Sequence, residues 1–134
     1  MLDDYLTEAI NEGWFVLVFS GTAHQAGFAV PILITSDAWS DCVAWSPDSD
    51  LQERKGHTGQ NEAGRLWHLL TTVKHATDRA DLTSVHVELL RIPERGPETE
   101  PRRTTLHACL CADVNGRSVL MLCRPYEDNL CNGC

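Results

Sequence analysis

The first 53 residues of this 134-residue chain contain no lysine or arginine. Every charged side chain in this span is a carboxylate: Asp3, Asp4, Glu8, Glu12, Asp37, Asp41, Asp48, Asp50 and Glu53. The other ten of the 19 acidic residues and all eleven basic residues lie further along, so the net charge of −8 comes from the N-terminal two fifths. Since nucleic-acid binding requires basic side chains against phosphate, we expect no direct binding to nucleic acid.

Long apolar runs are also absent. The longest, residues 14–19 and 30–34, are far shorter than the about 20 residues that span a bilayer. The chain does not start with the basic region of a secretory signal peptide. We therefore expect one soluble, cytoplasmic domain over residues 1–134, without a membrane interaction. Its six cysteines should be reduced unless they bind metal or carry out redox chemistry.

The sequence lacks the short motifs that identify common enzyme classes. It contains no Gly-x-x-x-x-Gly-Lys phosphate loop, no His-Glu-x-x-His zinc motif and no Gly-x-Ser-x-Gly nucleophile elbow. Gly64 lies where a helix N-terminus could bind an anion, but close helix packing explains this glycine equally well. No catalytic residue and no cofactor is predicted.

The clearest helical period covers residues 61–80. Apolar side chains recur there at three- and four-residue steps: Ala63, Leu66, Leu69, Leu70, Val73 and Ala76. Asn61 is a suitable N-cap, and Glu62 places a negative charge in the first turn. This pattern predicts a central amphipathic helix on which the rest of the chain packs.

The remaining pattern predicts an α+β fold. Shorter helices are expected over residues 4–13, 20–27 and 35–45. Strands are expected over residues 14–19, 29–35, 82–92, 104–112 and 118–124, the first of them buried on both faces. The last three strands should form an antiparallel meander on the central helix, and the first two should extend that sheet or pair beside it. Residues 46–60 and 93–103 are predicted to be mobile loops, and residues 127–134 a flexible tail.

The C-terminal third contains possible zinc ligands: His107, Cys109, Cys111, Cys123, Cys131 and Cys134. If Asn115 and Gly116 form a two-residue hairpin turn, Cys123 lies opposite Ala108 and on the other face from Cys109. This geometry separates the ligands that a tetrahedral zinc site must bring together. We therefore predict no metal, and interpret the cysteines as small apolar core residues.

A cluster of carboxylates is the best candidate for a binding site. It consists of Asp37, Asp41, Asp48, Asp50 and Glu53. Asp37 and Asp41 are four residues apart on a predicted helix, so they project from the same side and repel each other mildly. Carboxylates without intervening bases resemble the regular negative charge of a nucleic-acid backbone. The cluster predicts a surface that binds a basic protein, although a solvated face that maintains solubility gives the same pattern.

Several short segments occur in a distinctive order and spacing: Ala26-Gly27-Phe28 with Pro31, Thr35 with Ala38-Trp39 and Asp41-Cys42-Val43-Ala44-Trp45, Gly64-Arg65-Leu66-Trp67, Leu106-His107-Ala108, and Arg124-Pro125-Tyr126-Glu127-Asp128. They resemble a family of small bacterial proteins of unknown function, carried on plasmids and integrative elements. The resemblance covers residues 14–128. It implies an accessory protein of a mobile genetic element and implies no catalytic residues. The cysteine-rich end departs from the family pattern.

Together these features predict a small, acidic, non-enzymatic binding protein of a mobile element. Its expected partner is a basic protein or nucleoprotein complex that handles nucleic acid or serves in defence, which it would engage or inhibit in the manner of an anti-CRISPR protein. The alternative is a small metal-binding or thiol-dependent protein that uses cysteine and histidine.

Overall fold

A computed structural model describes residues 3–48, 53–56, 60–80 and 84–127. The helices are α1 (Asp4–Asn11), α2 (Ser20–Gln25), α3 (Ser36–Cys42) and α4 (Glu62–Ala80). The strands are β1 (Phe15–Leu17), β2 (Ile32–Thr35), β3 (Ser84–Arg91), β4 (Arg102–Ala112) and β5 (Ser118–Cys123). The fold is α+β, as the sequence predicts.

All five strands belong to one sheet in the order β1-β2-β5-β4-β3. The predicted meander of β3, β4 and β5 is antiparallel throughout. The first two strands extend this sheet, because β2 pairs with β5 and β1 pairs with β2. The β2–β5 pairing is parallel, so the sheet is mixed. The prediction of a wholly antiparallel sheet is therefore wrong. Its parallel strands come from opposite ends of the chain.

The two faces of the sheet carry separate cores. One core joins α4 to the sheet through Leu69, Leu70 and Val73, which contact Leu106 and Leu122 among other strand residues. The predicted cap of α4 is confirmed, because Asn61 Oδ1 accepts a hydrogen bond of 2.7 Å from Gly64 N–H. The buried stripe begins at Arg65 rather than at Ala63, which is exposed.

The second core lies under α1. Leu6 and Ala9 of this helix pack on the opposite face of the sheet, over β1, β2, β4 and β5. Asp3 caps α1, and its Oδ1 accepts from Leu6 N–H at 2.7 Å. Hydrogen bonds from the Leu6 and Val114 backbones lower the pKa of Asp3. Because Val114 lies between β4 and β5, Asp3 also joins α1 to that hairpin.

The predicted burial of strand 14–19 on both faces is wrong. β1 covers only three residues and forms an edge of the sheet. Trp14 is 55% exposed and Phe19 is 74% exposed, because the chain enters and leaves the sheet at these positions. The apolar run of residues 14–19 therefore contributes some side chains to the core and others to the surface.

The described parts of the two long loops contact each other. Lys55 is buried, and its Nζ donates to the carbonyl oxygens of Gly96 at 2.9 Å and Glu98 at 2.6 Å. Trp45 and Ile92 pack together at the bases of these loops. β4 begins at Arg102, two residues before the predicted strand. The predicted mobility of both loops stays a prediction, and the tail beyond residue 127 lies outside the described residues.

Candidate functional site

The predicted acidic site begins where the parallel strands β2 and β5 end. Thr35 closes β2 and caps α3, since its Oγ1 accepts from Ala38 N–H at 3.3 Å. The same hydroxyl donates to Glu127 Oε1 at 2.8 Å, and Arg124 N–H donates to that oxygen at 2.9 Å. These bonds attach the segment after β5 to the start of α3. The carboxylates of α3 therefore lie beside Arg124 and Tyr126.

Asp41 is held by two arginines. Arg91 forms a bidentate pair with it, with Nη2–Oδ1 at 2.9 Å and Nε–Oδ2 at 3.2 Å. Arg124 Nη1 lies 3.2 Å from Oδ2. Burial alone would raise the pKa of Asp41, but the hydrogen bonds and charge of Arg91 and the charge of Arg124 outweigh it and lower the pKa. Asp41 is thus an ionised carboxylate whose charge is already neutralised.

Arg65 is buried next to the backbone of Asp41. Arg65 donates to three backbone carbonyls: those of Asp41 at 3.1 Å, Val43 at 3.1 Å and Ile92 at 2.6 Å. Its guanidinium also lies over the Trp45 ring, 4.8 Å from the ring centroid. Burial lowers the pKa of Arg65, although a guanidinium stays protonated at neutral pH. Arg65 therefore joins the end of α3 to the end of β3.

A cavity opens at the surface beside the carboxylates of α3. The cavity there has a volume of about 280 Å³, and its lining includes Asp37, Asp41, Arg124 and Tyr126. Tyr126 donates to Asp37 Oδ2 at 2.9 Å, and this hydrogen bond is the main cause of the raised pKa of Tyr126. Burial, followed by the charge of Asp41, raises the pKa of the Cys42 thiol to about 12. A protonated, buried thiol is a poor nucleophile.

Four of the five predicted partner-binding residues lie in the described part of the chain, and their environments differ. Asp37 and Asp41 do line one cavity, as their spacing predicts. Asp37, Asp48 and Glu53 are exposed, whereas Asp41 is only 16% exposed in its side chain and is paired with arginine. Asp50 lies outside the described residues. Three of the five are therefore exposed to solvent, whereas Asp41 has a structural role.

A second acidic surface lies on α1. The carboxylates of Asp4, Glu8 and Glu12 are exposed and follow one another at four-residue steps, so they form a line along one side of the helix. Among the described residues none of them takes part in an ion pair. Exposed Tyr5 and Trp14 belong to the same segment. These acids are not among the predicted binding residues, although their four-residue spacing in the sequence indicates a common face.

An apolar cavity lies between β1 and α2. Its volume is about 600 Å³, and its lining includes Leu17, Phe19, Ala23, His24 and Val30. Leu17 and Phe19 are 44% and 74% exposed. The N-terminal part of the chain thus combines carboxylates with exposed aromatic and aliphatic side chains.

The cysteine face differs from the prediction. β4 and β5 are joined by a three-residue loop closed by Asp113 N–H and the Arg117 carbonyl, with Gly116 at a φ of +79°. Cys123 consequently lies opposite His107 and not opposite Ala108. It therefore shares a face with Cys109 and Cys111.

This common face contains no metal-binding cluster among the described residues. Cys109 Sγ lies 3.4 Å from Cys111 Sγ. Cys111 is disulfide-bonded, whereas Cys42, Cys109 and Cys123 are not part of a disulfide. Cys111 is therefore not reduced, which the prediction allowed only for a cysteine that binds metal or carries out redox chemistry. Cys131 and Cys134 lie outside the described residues.

No family model matches the chain, and comparison with curated proteins and with solved structures gives no match either. The resemblance to a family from mobile elements thus stays a prediction. Within the described part of the chain, no helix has the length and apolar content that crossing a bilayer would require.

Proposed function

We propose that this protein is a non-enzymatic binding protein that engages a basic protein through the surface of α1 and β1. The observation that carries the proposal is the line of exposed carboxylates formed by Asp4, Glu8 and Glu12. Like charges at this spacing destabilise a helix by about 0.2–0.5 kcal/mol per pair, so folding does not require them. They create a negative field that steers a positively charged partner and favours its binding.

Exposed aromatic side chains of α1 and of the segment that follows it supply the apolar contacts that a stable interface needs. Tyr5 and Trp14 are each more than half exposed. Aromatic residues contribute most of the binding energy in many protein interfaces, where charged residues surround them. No lysine or arginine occurs within the first 53 residues, so α1 and β1 carry no basic side chain of their own. The exposed carboxylates of Asp37 and Glu53 add to the negative charge of this part of the chain.

The proposed partner is a basic, nucleic-acid-handling or defence protein of a bacterial cell, and the proposed setting is the cytoplasm. This choice rests on the charge of the surface and on the resemblance to mobile-element proteins. In this role the protein occupies a surface that otherwise contacts phosphate, and it thereby inhibits its partner.

Charge reversal on α1 tests the proposal. The variant Asp4→Lys/Glu8→Lys/Glu12→Lys is compared with Glu62→Lys/Asp78→Lys/Glu100→Lys, which changes the net charge equally at exposed sites elsewhere. Each tagged protein is incubated with a bacterial lysate, washed at low and at high salt, and the retained proteins are identified by mass spectrometry. We expect the wild type and the control to retain the same basic protein at low salt and the α1 variant to lose it.

The partner identified in this way is then purified for titration with the three proteins. Its affinity for the α1 variant should be at least ten-fold lower than for the control. Equal affinities would contradict the α1 surface, and a further variant, Asp37→Lys/Asp48→Lys, shows whether α3 and its loop carry the binding instead. A wild type that retains no basic protein would contradict the proposed function as a whole.

A thiol-dependent function is the second candidate. The observation that favours it is the Cys109 thiol, 3.4 Å from the sulfur of disulfide-bonded Cys111. Both side chains are buried, so reaction with an external molecule requires local opening. If this candidate holds, Cys109→Ser abolishes the activity of the protein toward its target, whereas reversal of the α1 charges leaves that activity intact.

A further inference from the structure

β3 forms one edge of the sheet, and within the described residues no strand pairs with its outer side. It pairs with β4 over eight consecutive residues, Ser84–Arg91, without a bulge. In such a strand about every second residue directs its backbone N–H and C=O away from the neighbouring strand. Proteins usually block a long edge with proline, lysine, a bulge or a short strand. β3 has none of these, whereas β1 at the opposite edge is only three residues long.

The exposed face of β3 is complementary to itself. When two β3 strands pair antiparallel about a twofold axis at Val87, Glu88 of each copy lies opposite His86 of the other. Both side chains are exposed on the same face. An imidazole N–H can donate to a carboxylate, and the contact occurs twice because of the symmetry. An axis at Glu88 would instead place two carboxylates opposite each other.

The buried face of β3 supports the same register. An axis at Val87 places Val85 of one copy opposite Leu89 of the other. Val85 lies at the margin of the core under α4 and is only partly buried, whereas Leu89 and Val87 are fully part of that core. Pairing in this register covers Val85 and continues the apolar core from one copy into the next.

We propose that a second copy of this chain pairs with β3 in antiparallel orientation, with Val87 on the twofold axis. The two five-stranded sheets then form one continuous sheet of ten strands. This inference goes beyond the proposed function. The dimer edge and β1 lie at opposite ends of the sheet, so the dimer leaves the α1 and β1 surface of each copy free for its partner.

A charge exchange across the twofold axis tests both the edge and the register. His86→Glu places two carboxylates opposite each other, and Glu88→Lys places lysine opposite histidine. The double variant His86→Glu/Glu88→Lys restores opposite charges. Molar masses of the full chain are measured by sedimentation over a range of concentrations. We expect a wild-type dimer, a dissociation constant about ten-fold higher or more in each single variant, and recovery of the wild-type value in the double variant.

Glu100→Lys and His24→Glu serve as controls, since they change the same residue types at exposed sites away from β3. They should dimerise like the wild type, and circular dichroism checks that every variant is folded. A monomeric wild type would overturn the proposal, including the case in which a strand of another protein occupies this edge. Single variants that dimerise normally would also overturn it, as would a double variant that fails to recover.

Discussion

Asp41 and Arg91 form a bidentate ion pair that joins α3 to the end of β3, with N–O distances of 2.9 and 3.2 Å. Both side chains are largely buried, at 16% and 12% exposure. A carboxylate in this position contributes to the fold rather than to a recognition surface. Within the predicted acidic cluster, Asp41 therefore has a structural role, whereas Asp37, Asp48 and Glu53 are exposed.

Asp41→Asn should lower the free energy of unfolding by about 2 kcal/mol, because it leaves the buried guanidinium of Arg91 without its counter-charge. Urea titration at pH 7 measures the change. Asp37→Asn is the matched control on the same helix and should cost less than about 0.5 kcal/mol, since that carboxylate is exposed. If both variants lose the same stability, the ion pair does not have the role assigned to it.

The stability of the protein should fall in acid. The pKa values of Asp3 and Asp41 are lowered in the folded state, by backbone N–H groups and by arginines respectively. A carboxylate of this kind contributes stability above its unfolded pKa of about 3.9, and the contribution disappears as the pH falls through the folded pKa. Urea midpoints measured from pH 7 to pH 2 should therefore decrease below about pH 4. In the variant Asp3→Asn/Asp41→Asn the decrease should be smaller, and an unchanged acid profile would contradict this assignment.

Arg65→Lys should destabilise the protein by about 3 kcal/mol, although it keeps the charge. A lysine ammonium cannot reach three carbonyl groups in the same directions and cannot stack on Trp45 as a planar guanidinium does. Thermal and urea unfolding measure the loss. Arg79→Lys, at an exposed position of the same helix, should change the stability by less than about 0.5 kcal/mol. Similar losses of stability in both variants would contradict a structural role for the Arg65 guanidinium.

The cysteines should differ in their reaction with iodoacetamide. In the native protein at pH 8, Cys42 should react very slowly, because it is buried and its thiol pKa is about 12. After unfolding without a reductant, Cys42, Cys109 and Cys123 should all react, whereas Cys111 should react only after reduction. Peptide mass mapping measures each site and identifies the residue bonded to Cys111. Reaction of Cys111 in the unfolded, unreduced chain would exclude the disulfide.

Local signals predicted the local structure well. The helical period and the Asn61 cap predict α4 to within a residue, and the strand pattern predicts β3, β4 and β5 to within about two residues at each end. The register of β4 and β5 was missed because Gly116 closes a three-residue loop, whereas the Asn-Gly pair favours a two-residue turn. That difference of one residue moved Cys123 to the other face of the sheet.

Long-range relationships could not be found in the same way. Nothing in residues 29–35 indicates that β2 pairs with β5 in parallel, because the two strands share no turn and no local contact. The role of Asp41 was missed for the same reason, since Arg91 and Arg124 are distant in sequence. The exposure of Trp14 and Phe19 depends on where β1 leaves the sheet, which composition does not reveal.

The parallel pairing of β2 with β5 also determines when this protein can fold. β2 is made early, but the strand beside which it lies is completed only at Cys123. On the ribosome the N-terminal elements must therefore wait for most of the chain before the sheet can close. Such dependence on contacts between distant segments slows folding in small domains. Until β5 emerges, the apolar side chains of β2 have no native neighbour on that side, and this interval is when the nascent chain is most exposed to aggregation.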